Sequence, residues 1–445
     1  MQHEVVKKFS APVPRYTSYP TAPHFSSDIG AAQYRRWLAA IPEGEAISLY
    51  VHIPYCDELC WYCGCNTKAT RKYTPVAEYL GVLEKEIRAV GAIVGKGKPV
   101  THMHWGGGSP SILSAADIAN LSRLLRENFT FAPDAEIAVE VDPRNLADDK
   151  FEAFARAGVN RVSIGVQDFS EAVQKAINRH QGFDLTERAI RRFRDVGVKS
   201  INLDLVYGLP LQTRESVENT IRQVLTLAPD RIALFGYAHL PSRLVHQKMI
   251  KDEDLPAPMQ RFEQSNASAD MLIEAGYVRI GLDHYAKPTD TLASGNFARN
   301  FQGYTTDEAP VLIGFGASSI GRMPQGYVQN ATAVPQWRAK LEKGELPVAR
   351  GVEMTADDRF RAEIIERLMC DFTVDLAEVC DSHRRPLADL DESIARLAPM
   401  QEDGIAEVHG ATVGATRTGR DFIRSICAAF DAHLEHGAIR HSASI

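Results

Sequence analysis

Residues 187–210 read ERAIRRFRDVGVKSINLDLVYGLP. A helical stretch ends at Val196-Gly197, a short apolar strand follows, and Gly208-Leu209-Pro210 closes it. Within the strand Ile201, Leu203 and Leu205 alternate with Asn202 and Asp204, the period of extended chain. The same phrase recurs as FEAFARAGVNRVSIGVQ at 151–167, IRQVLTLAPDRIALFGYAHLP at 221–241 and MLIEAGYVRIGLDHYA at 271–286. THMHWGGGSP at 101–110 and AEIAVEVDPR at 135–144 supply two more strand ends. Spacing between copies is loose, so this is a structural rhythm and not a sequence repeat. Helix–strand alternation predicts a parallel sheet, with strands at 48–53, 101–105, 136–141, 161–165, 200–206 and 231–236. Polar and glycine-rich residues follow the strand ends, where parallel barrels and open doubly wound sheets both place ligands. Chemistry shared among six consecutive ends favours a partial or complete barrel.

Outside this region the pattern changes. Residues 1–45 are rich in turn formers, with a helix expected near Ala31–Ala40, and form an N-terminal arm. The barrel is expected over 46–285, and a mainly helical C-terminal domain over 286–445, with helical patterns at 336–343, 355–369 and 384–397 and a hairpin and helix near the end. The N-terminus lacks an apolar signal core, and no window offers 18 apolar residues without charge, so a cytoplasmic protein is expected, with no membrane partner. The net charge of -7 gives no support to nucleic acid as a partner.

Four of the seven cysteines fall within ten residues, Cys56-Asp-Glu-Leu-Cys60-Trp-Tyr-Cys63-Gly-Cys65. Cys370, Cys380 and Cys427 sit in apolar runs and read as small buried hydrophobes. Thiolates at C-x3-C-x2-C suit an iron–sulfur cluster or zinc. A structural zinc site wants four ligands, and no distant Cys/His pair stands ready, while Cys65 is too close to Cys63 to join one tetrahedral ion without strain. Three thiolates on a [4Fe–4S] cluster leave one iron free to bind a small molecule through an amino and a carboxylate group. Neither a metalloprotease helix, nor a nucleophile elbow, nor a P-loop is present in the sequence.

With these motifs the chain resembles the radical S-adenosylmethionine superfamily and, within it, the oxygen-independent coproporphyrinogen III oxidases. The resemblance is carried by RYTSYPTAPHF (15–25), YVHIPYCDELCWYCGCN (50–66), HWGGGSP (104–110), EVDPR (140–144), GVQDF (165–169), INRHQ (177–181), INLDLVYGLP (201–210), YAHLP (237–241) and NFQGYTT (300–306). It implies an α/β fold, a partial (β/α)6-type radical SAM barrel. It also implies that Cys56, Cys60 and Cys63 ligate one [4Fe–4S] cluster per chain and that Cys65 does not. Two molecules of S-adenosylmethionine are implied near that cluster. Tyr50, Gly107 and Glu140 match contacts of the first. Tyr62, Gly108, Ser109, Gln167, Arg179, Asp204, Ala238 and Ile320 match contacts of the second. Relatives often carry Phe at Tyr62 and Thr at Ser109, which keeps the aromatic and hydroxyl character. The implied reaction converts two propionates of coproporphyrinogen III to vinyl groups, giving protoporphyrinogen IX, with an unidentified reductant for the cluster and a monomeric chain. A haem-binding relative without oxidase activity and a zinc-stabilised binding module are the alternatives.

Single residues leave choices open. The Gly106–Gly108 run reads as a tight turn or as a backbone edge for the methionyl amino and carboxylate groups. Glu140 and Asp142 are a solvated pair or acceptors for a cofactor. The fork of Arg179 suits a carboxylate. Asp204 sits in a strand with apolar neighbours and needs a partner if it faces a barrel interior. His52, His104 and His239 fit structural roles or the site. Arg15, Tyr16 and Tyr19 form a lid or a packed arm.

Overall fold

A computed structural model of the protein describes residues 2–295 and 297–434. Six parallel strands stand side by side in chain order: β1 (Ile47–Ile53), β2 (Pro99–Gly107), β3 (Thr130–Val141), β4 (Arg161–Gln167), β5 (Ser200–Tyr207) and β6 (Arg231–Gly236). Helices join them: Thr74–Val94, Ala115–Asn128, Asp148–Arg156, Phe183–Asp195 and Arg214–Leu227. This is an α/β barrel of the kind the strand–helix rhythm favours, and its partial form is the one the resemblance to the radical SAM superfamily implies. The helix starts follow local chemistry. Pro75 sits in the first turn of Thr74–Val94, Ser114 accepts from the Asp117 N–H, and Thr213 and Ser216 form a capping box.

Period-2 alternation sorts each strand's side chains between two faces. Ile47, Leu49, Val51 and Ile53 of β1 and Ile201, Leu203 and Leu205 of β5 are almost fully buried in the main core. The intervening positions of the strands include His104, Glu140, Ser163, Gln167, Asn202 and Asp204, and these line the interior cavity. Register aligns them in layers: Tyr50 pairs with His104, His104 with Ala138, Ala138 with Arg161, and Gly165 with Asp204.

The sheet has twelve strands and stays open. Val311–Phe315 adds to β1 in parallel, and Ile320–Met323, Gly326–Asn330 and Val348–Glu353 follow antiparallel, so residues well beyond 285 extend the barrel sheet. On the β6 side the copy at 271–286 departs from the rhythm. Val278–Ile280 and His284–Ala286 pair antiparallel with each other, and the latter with β6. The link between them is far too short for a parallel crossover, which needs about a dozen residues.

Helix Ala356–Asp371, helix Leu376–His383 and a three-stranded sheet enclose a second core that includes Ile364, Leu368, Val413 and Ile426. The helical pattern at 384–397 yields only short pieces, Leu387–Leu390 and Asp391–Ala395. Tyr16 and Tyr19 of the arm are buried in this second core, and the Tyr16 hydroxyl donates to Asp431 at 3.0 Å. Cys370, Cys380 and Cys427 are buried. Among the described residues no helix is long and apolar enough to cross a membrane.

Candidate active site

The cysteine loop leaves β1 at Pro54 and is tied down from three directions. Tyr55–Cys56 pairs with Lys68–Ala69, which closes the loop on itself. From the segment after β4, Asn178 Nδ2 donates to the Leu59 carbonyl at 2.9 Å and the Ile177 carbonyl takes the Trp61 N–H at 2.9 Å. From the segment after β6, Gln247 Nε2 donates to the Tyr62 carbonyl at 3.0 Å and His246 Nε2 meets the Cys63 carbonyl at 2.7 Å. A loop with so many of its carbonyls spoken for holds its thiols in place before any ligand arrives.

Cys56, Cys60, Cys63 and Cys65 all line a cavity of about 710 Å³ at the C-terminal ends of β1–β6. Arg144 Nη2 and Arg179 Nη1 each lie 3.5 Å from Cys60 Sγ, and Thr67 Oγ1 lies 3.3 Å from Cys56 Sγ. The Cys65 thiol and its N–H both donate to Cys63 Sγ and, against burial, hold the Cys63 thiol down at about 7. Burial pushes the Cys56 thiol up to about 12. Among the described residues no three His, Cys, Asp or Glu side chains converge as ligands of one ion would. Thiolates that each take a separate iron of a cluster need no such convergence. The donor set fits such a cluster: three thiols open on a roomy cavity, with two guanidiniums beside one of them to offset thiolate charge.

Nine of the eleven expected cofactor contacts line the same cavity: Tyr62, Gly107, Gly108, Ser109, Glu140, Gln167, Arg179, Asp204 and Ala238. Tyr50 and Ile320 are not among its lining residues. The Tyr50 ring stacks 5.9 Å from His104, which does line it, and Ile320 begins the antiparallel strand Ile320–Met323.

Several side chains are more committed than their sequence context suggests. Glu140 accepts from His104 Nε2 at 2.9 Å and from the Gly107 N–H at 3.1 Å; burial pushes its carboxyl up, but these donors hold it below the usual range. Asp142 is no free acceptor. Arg144 grips it at 2.6 Å and Arg179 Nη1 lies 3.3 Å away, so that despite burial its carboxyl drops to about 2. The Arg179 fork does meet a carboxylate, that of Asp142 through Nη1, and it gives Nη2 to the Gly165 carbonyl at 2.7 Å, which leaves only a buried Nε unpartnered. The glycine edge offers no amides either. The N–H groups of Gly107, Gly108 and Ser109 go to Glu140, to the Ile53 carbonyl and to the Tyr55 carbonyl. Pairing with an ammonium or carboxylate cofactor there falls to carbonyl oxygens, which suit only the ammonium.

Asp204 accepts from Ser163 Oγ and from Asn202 Nδ2, each at 2.7 Å, and burial raises its carboxyl above the ordinary value. A carboxylate has about four acceptor positions, so capacity for ligand hydroxyls remains. Gln167 holds a left-handed φ of +69°, strain at a strand end of the kind found at ligand sites. His52, between Tyr50 and the Asn66 carbonyl, and His239, between Tyr237 and Asp252, serve structure, whereas His104 faces the site. Sequence reasoning passed over Arg144, one residue beyond Pro143, and the inward positions Ser163 and Asn202, although strand alternation marks the last two. Arg15 lines the cavity and donates to the Gly236 carbonyl at 3.0 Å.

Residues 50–224 match the model of the Radical SAM superfamily. The chain is 47% identical over 437 residues to the oxygen-independent coproporphyrinogen III oxidase of Bradyrhizobium diazoefficiens, covering 97% of each. It is 41% identical over 439 residues to that of Escherichia coli, covering 98% of this chain and 96% of the other. The solved structure of the Escherichia coli coproporphyrinogen III oxidase, described as a radical SAM enzyme, superposes with a TM-score of 0.90 over 94% of this chain and 98% of that one. With arm, barrel and C-terminal part all included in that match, the chain belongs to the oxygen-independent coproporphyrinogen III oxidase family of the radical SAM superfamily.

Proposed function

We propose that this enzyme converts two propionates of coproporphyrinogen III to vinyl groups by oxygen-independent oxidative decarboxylation, giving protoporphyrinogen IX. One observation carries the reading: the C-x3-C-x2-C thiols and nine expected cofactor contacts converge on one cavity in a chain that matches these oxidases end to end. Cys56, Cys60 and Cys63 hold a [4Fe–4S] cluster in this proposal, and Cys65 supports Cys63 through its two hydrogen bonds. Held by Cys56, Cys60 and Cys63, the reduced cluster would supply one-electron cleavage of S-adenosylmethionine to methionine and a 5′-deoxyadenosyl radical; removal of a propionate β-hydrogen as 5′-deoxyadenosine, release of carbon dioxide and transfer of one electron to an external one-electron acceptor would then give the vinyl group.

The residues of the chain bind, orient and exclude water. Arg144 and Arg179 place positive charge at Cys60. Tyr50, Gly107 and Glu140 hold a first S-adenosylmethionine, with Glu140 and the glycine-edge carbonyls as acceptors for its ammonium. Tyr62, Gly108, Ser109, Gln167, Arg179, Asp204, Ala238 and Ile320 hold a second, with Asp204 as acceptor for ribose hydroxyls. Enclosure by six strand ends keeps water from a radical that must meet only its target. A separate protein or small reductant feeds the cluster, and the enzyme works as a cytoplasmic monomer. The test is anaerobic reconstitution with iron and sulfide, then incubation with dithionite, S-adenosylmethionine and coproporphyrinogen III. Protoporphyrin after oxidation of the pigments is expected, and unchanged coproporphyrin from a sample with a full cluster refutes the reading.

A further inference from the structure

A second cavity of about 40 Å³ adjoins the main one, and Arg15, Gly236 and Tyr237 line both. It holds about three water-sized groups, the bulk of one carboxylate. Among the described residues the guanidiniums of Arg15, Arg261, Arg299 and Arg424 line it together with the carboxylates of Asp283 and Asp421. Asp421 is already paired with Arg279 at 2.9 Å, and Asp283 with His284 at 2.7 Å. The arginines come from distant parts of the chain: the arm, helix Pro258–Glu274, strand Ala298–Asn300 and helix Ile423–Ala428.

Buried guanidinium nitrogens without acceptors are costly. Arg299 is 8% exposed; its Nη2 donates to the Arg15 carbonyl at 3.4 Å and its Nη1 lies 3.7 Å from Asp283 as an ion pair, while neither Nε nor Nη1 has a hydrogen bond. Arg261 gives Nη2 to the Tyr237 carbonyl at 2.8 Å, and its Nε has none. Burial, and then the charges of Arg15 and Arg299, push the Arg424 guanidinium down to about 9, so the cluster repels itself. Unused donors of Arg261 and Arg299 thus line a space the size of one carboxylate, at the wall of the substrate cavity.

We propose that this cavity seats one carboxylate of the substrate, a propionate that the reaction leaves intact, held by Arg15, Arg261 and Arg299 while the macrocycle occupies the main cavity. The proposal rests on the coproporphyrinogen oxidase reading above. Pairing with guanidinium stabilises a carboxylate against departure as carbon dioxide, so the seat suits a propionate that stays. It makes Arg15 a binding residue of the arm.

The test uses the full-length, anaerobically reconstituted enzyme and its Arg261→Met, Arg261→Lys and Arg299→Met variants. Loss of charge-assisted bonds should raise KM for coproporphyrinogen III about ten- to a hundredfold, with most of the loss in KM and not in kcat. R261K should recover part of it. Coproporphyrin III and its tetramethyl ester, followed by fluorescence, give a readout without turnover: R261M and R299M should weaken the tetra-acid and leave the ester unchanged. Equal weakening of acid and ester, or no change in either variant, overturns the carboxylate seat while the parent's turnover upholds the activity. A parent that neither converts coproporphyrinogen nor binds coproporphyrin overturns both. Iron content and thermal unfolding monitor the fold, and if R299M fails to fold, R261M against R261K decides.

Discussion

Gly107→Ala probes how tightly the glycine edge is built. Gly107 has φ +113°, where an L-residue costs about 1–3 kcal/mol. Its added Cβ would stand 2.6 Å from the His52 ring. The ring cannot swing aside cheaply, because Tyr50 Oη holds Nδ1 at 3.0 Å and the Asn66 carbonyl holds Nε2 at 2.9 Å. Surrendering both bonds adds about 1–3 kcal/mol. The expected loss is therefore about 2–6 kcal/mol, with the cysteine loop disturbed through Asn66. Gly44→Ala is the control, since Gly44 has φ +81° but nothing within 4 Å of an added Cβ. Urea unfolding of the anaerobic full-length parent, G44A, G107A, H52A and G107A/H52A separates the parts. G107A should cost more than G44A, and the double variant should cost at least about 1 kcal/mol less than the sum of its singles. Equal losses for G44A and G107A, together with additivity in the double variant, would refute the pinned-ring argument.

Cys56→Ser, Cys60→Ser and Cys63→Ser should each prevent stable cluster assembly, while Cys65→Ser should retain iron with a less stable cluster; iron and sulfide content after reconstitution checks this, and an empty C65S beside a loaded C56S contradicts it. In air the cluster absorbance of the parent should bleach over minutes to hours, because the proposed ligation by three cysteines leaves one iron without a protein ligand; unchanged iron and activity after long aeration count against that. Asp204→Ala should lower bound S-adenosylmethionine from two to one in equilibrium dialysis under argon and cut vinyl formation about a hundredfold, while some reductive cleavage persists; normal stoichiometry with a lower melting point would make Asp204 structural. Asp142 has a folded-state carboxyl near 2, below its ordinary value, so its stabilisation is full above about pH 4 and fades as pH falls towards 2. At neutral pH that amounts to about 2 kcal/mol at most, and the gap in unfolding free energy between the parent and Asp142→Asn should narrow between pH 4 and pH 2.

The strands were legible because alternation is a local signal. Ile201, Leu203 and Leu205 against Asn202 and Asp204 already divide helix-facing from lumen-facing residues, and the structure keeps that division. The thiol spacing was legible for the same reason. What stayed hidden depends on pairing across long sequence distances. Strand Val311–Phe315 joins β1 across more than 250 residues, and nothing in its own five residues says which edge it will meet. The hairpin at 278–286 imitates the barrel phrase in composition and differs only in the length of its link.

The commitments of the charged residues were equally out of reach. Asp142 and Arg179 each look available when read alone, because composition shows a charge and not what neutralises it. Folding brings Arg144, Arg179 and Asp142 together beside Cys60, where the carboxylate neutralises part of the guanidinium charge and the remainder is left for the sulfur. A lone arginine at that depth would carry a large desolvation cost, and two without Asp142 would repel each other. The aspartate is therefore a condition for placing positive charge at Cys60 at all. Its removal should act on the cluster through Arg144 and Arg179 even though Asp142 makes no hydrogen bond to a thiol: D142N is expected to lose iron faster than the parent under chelator challenge, and an identical rate would mean that the arginines need no counter-charge to hold their position.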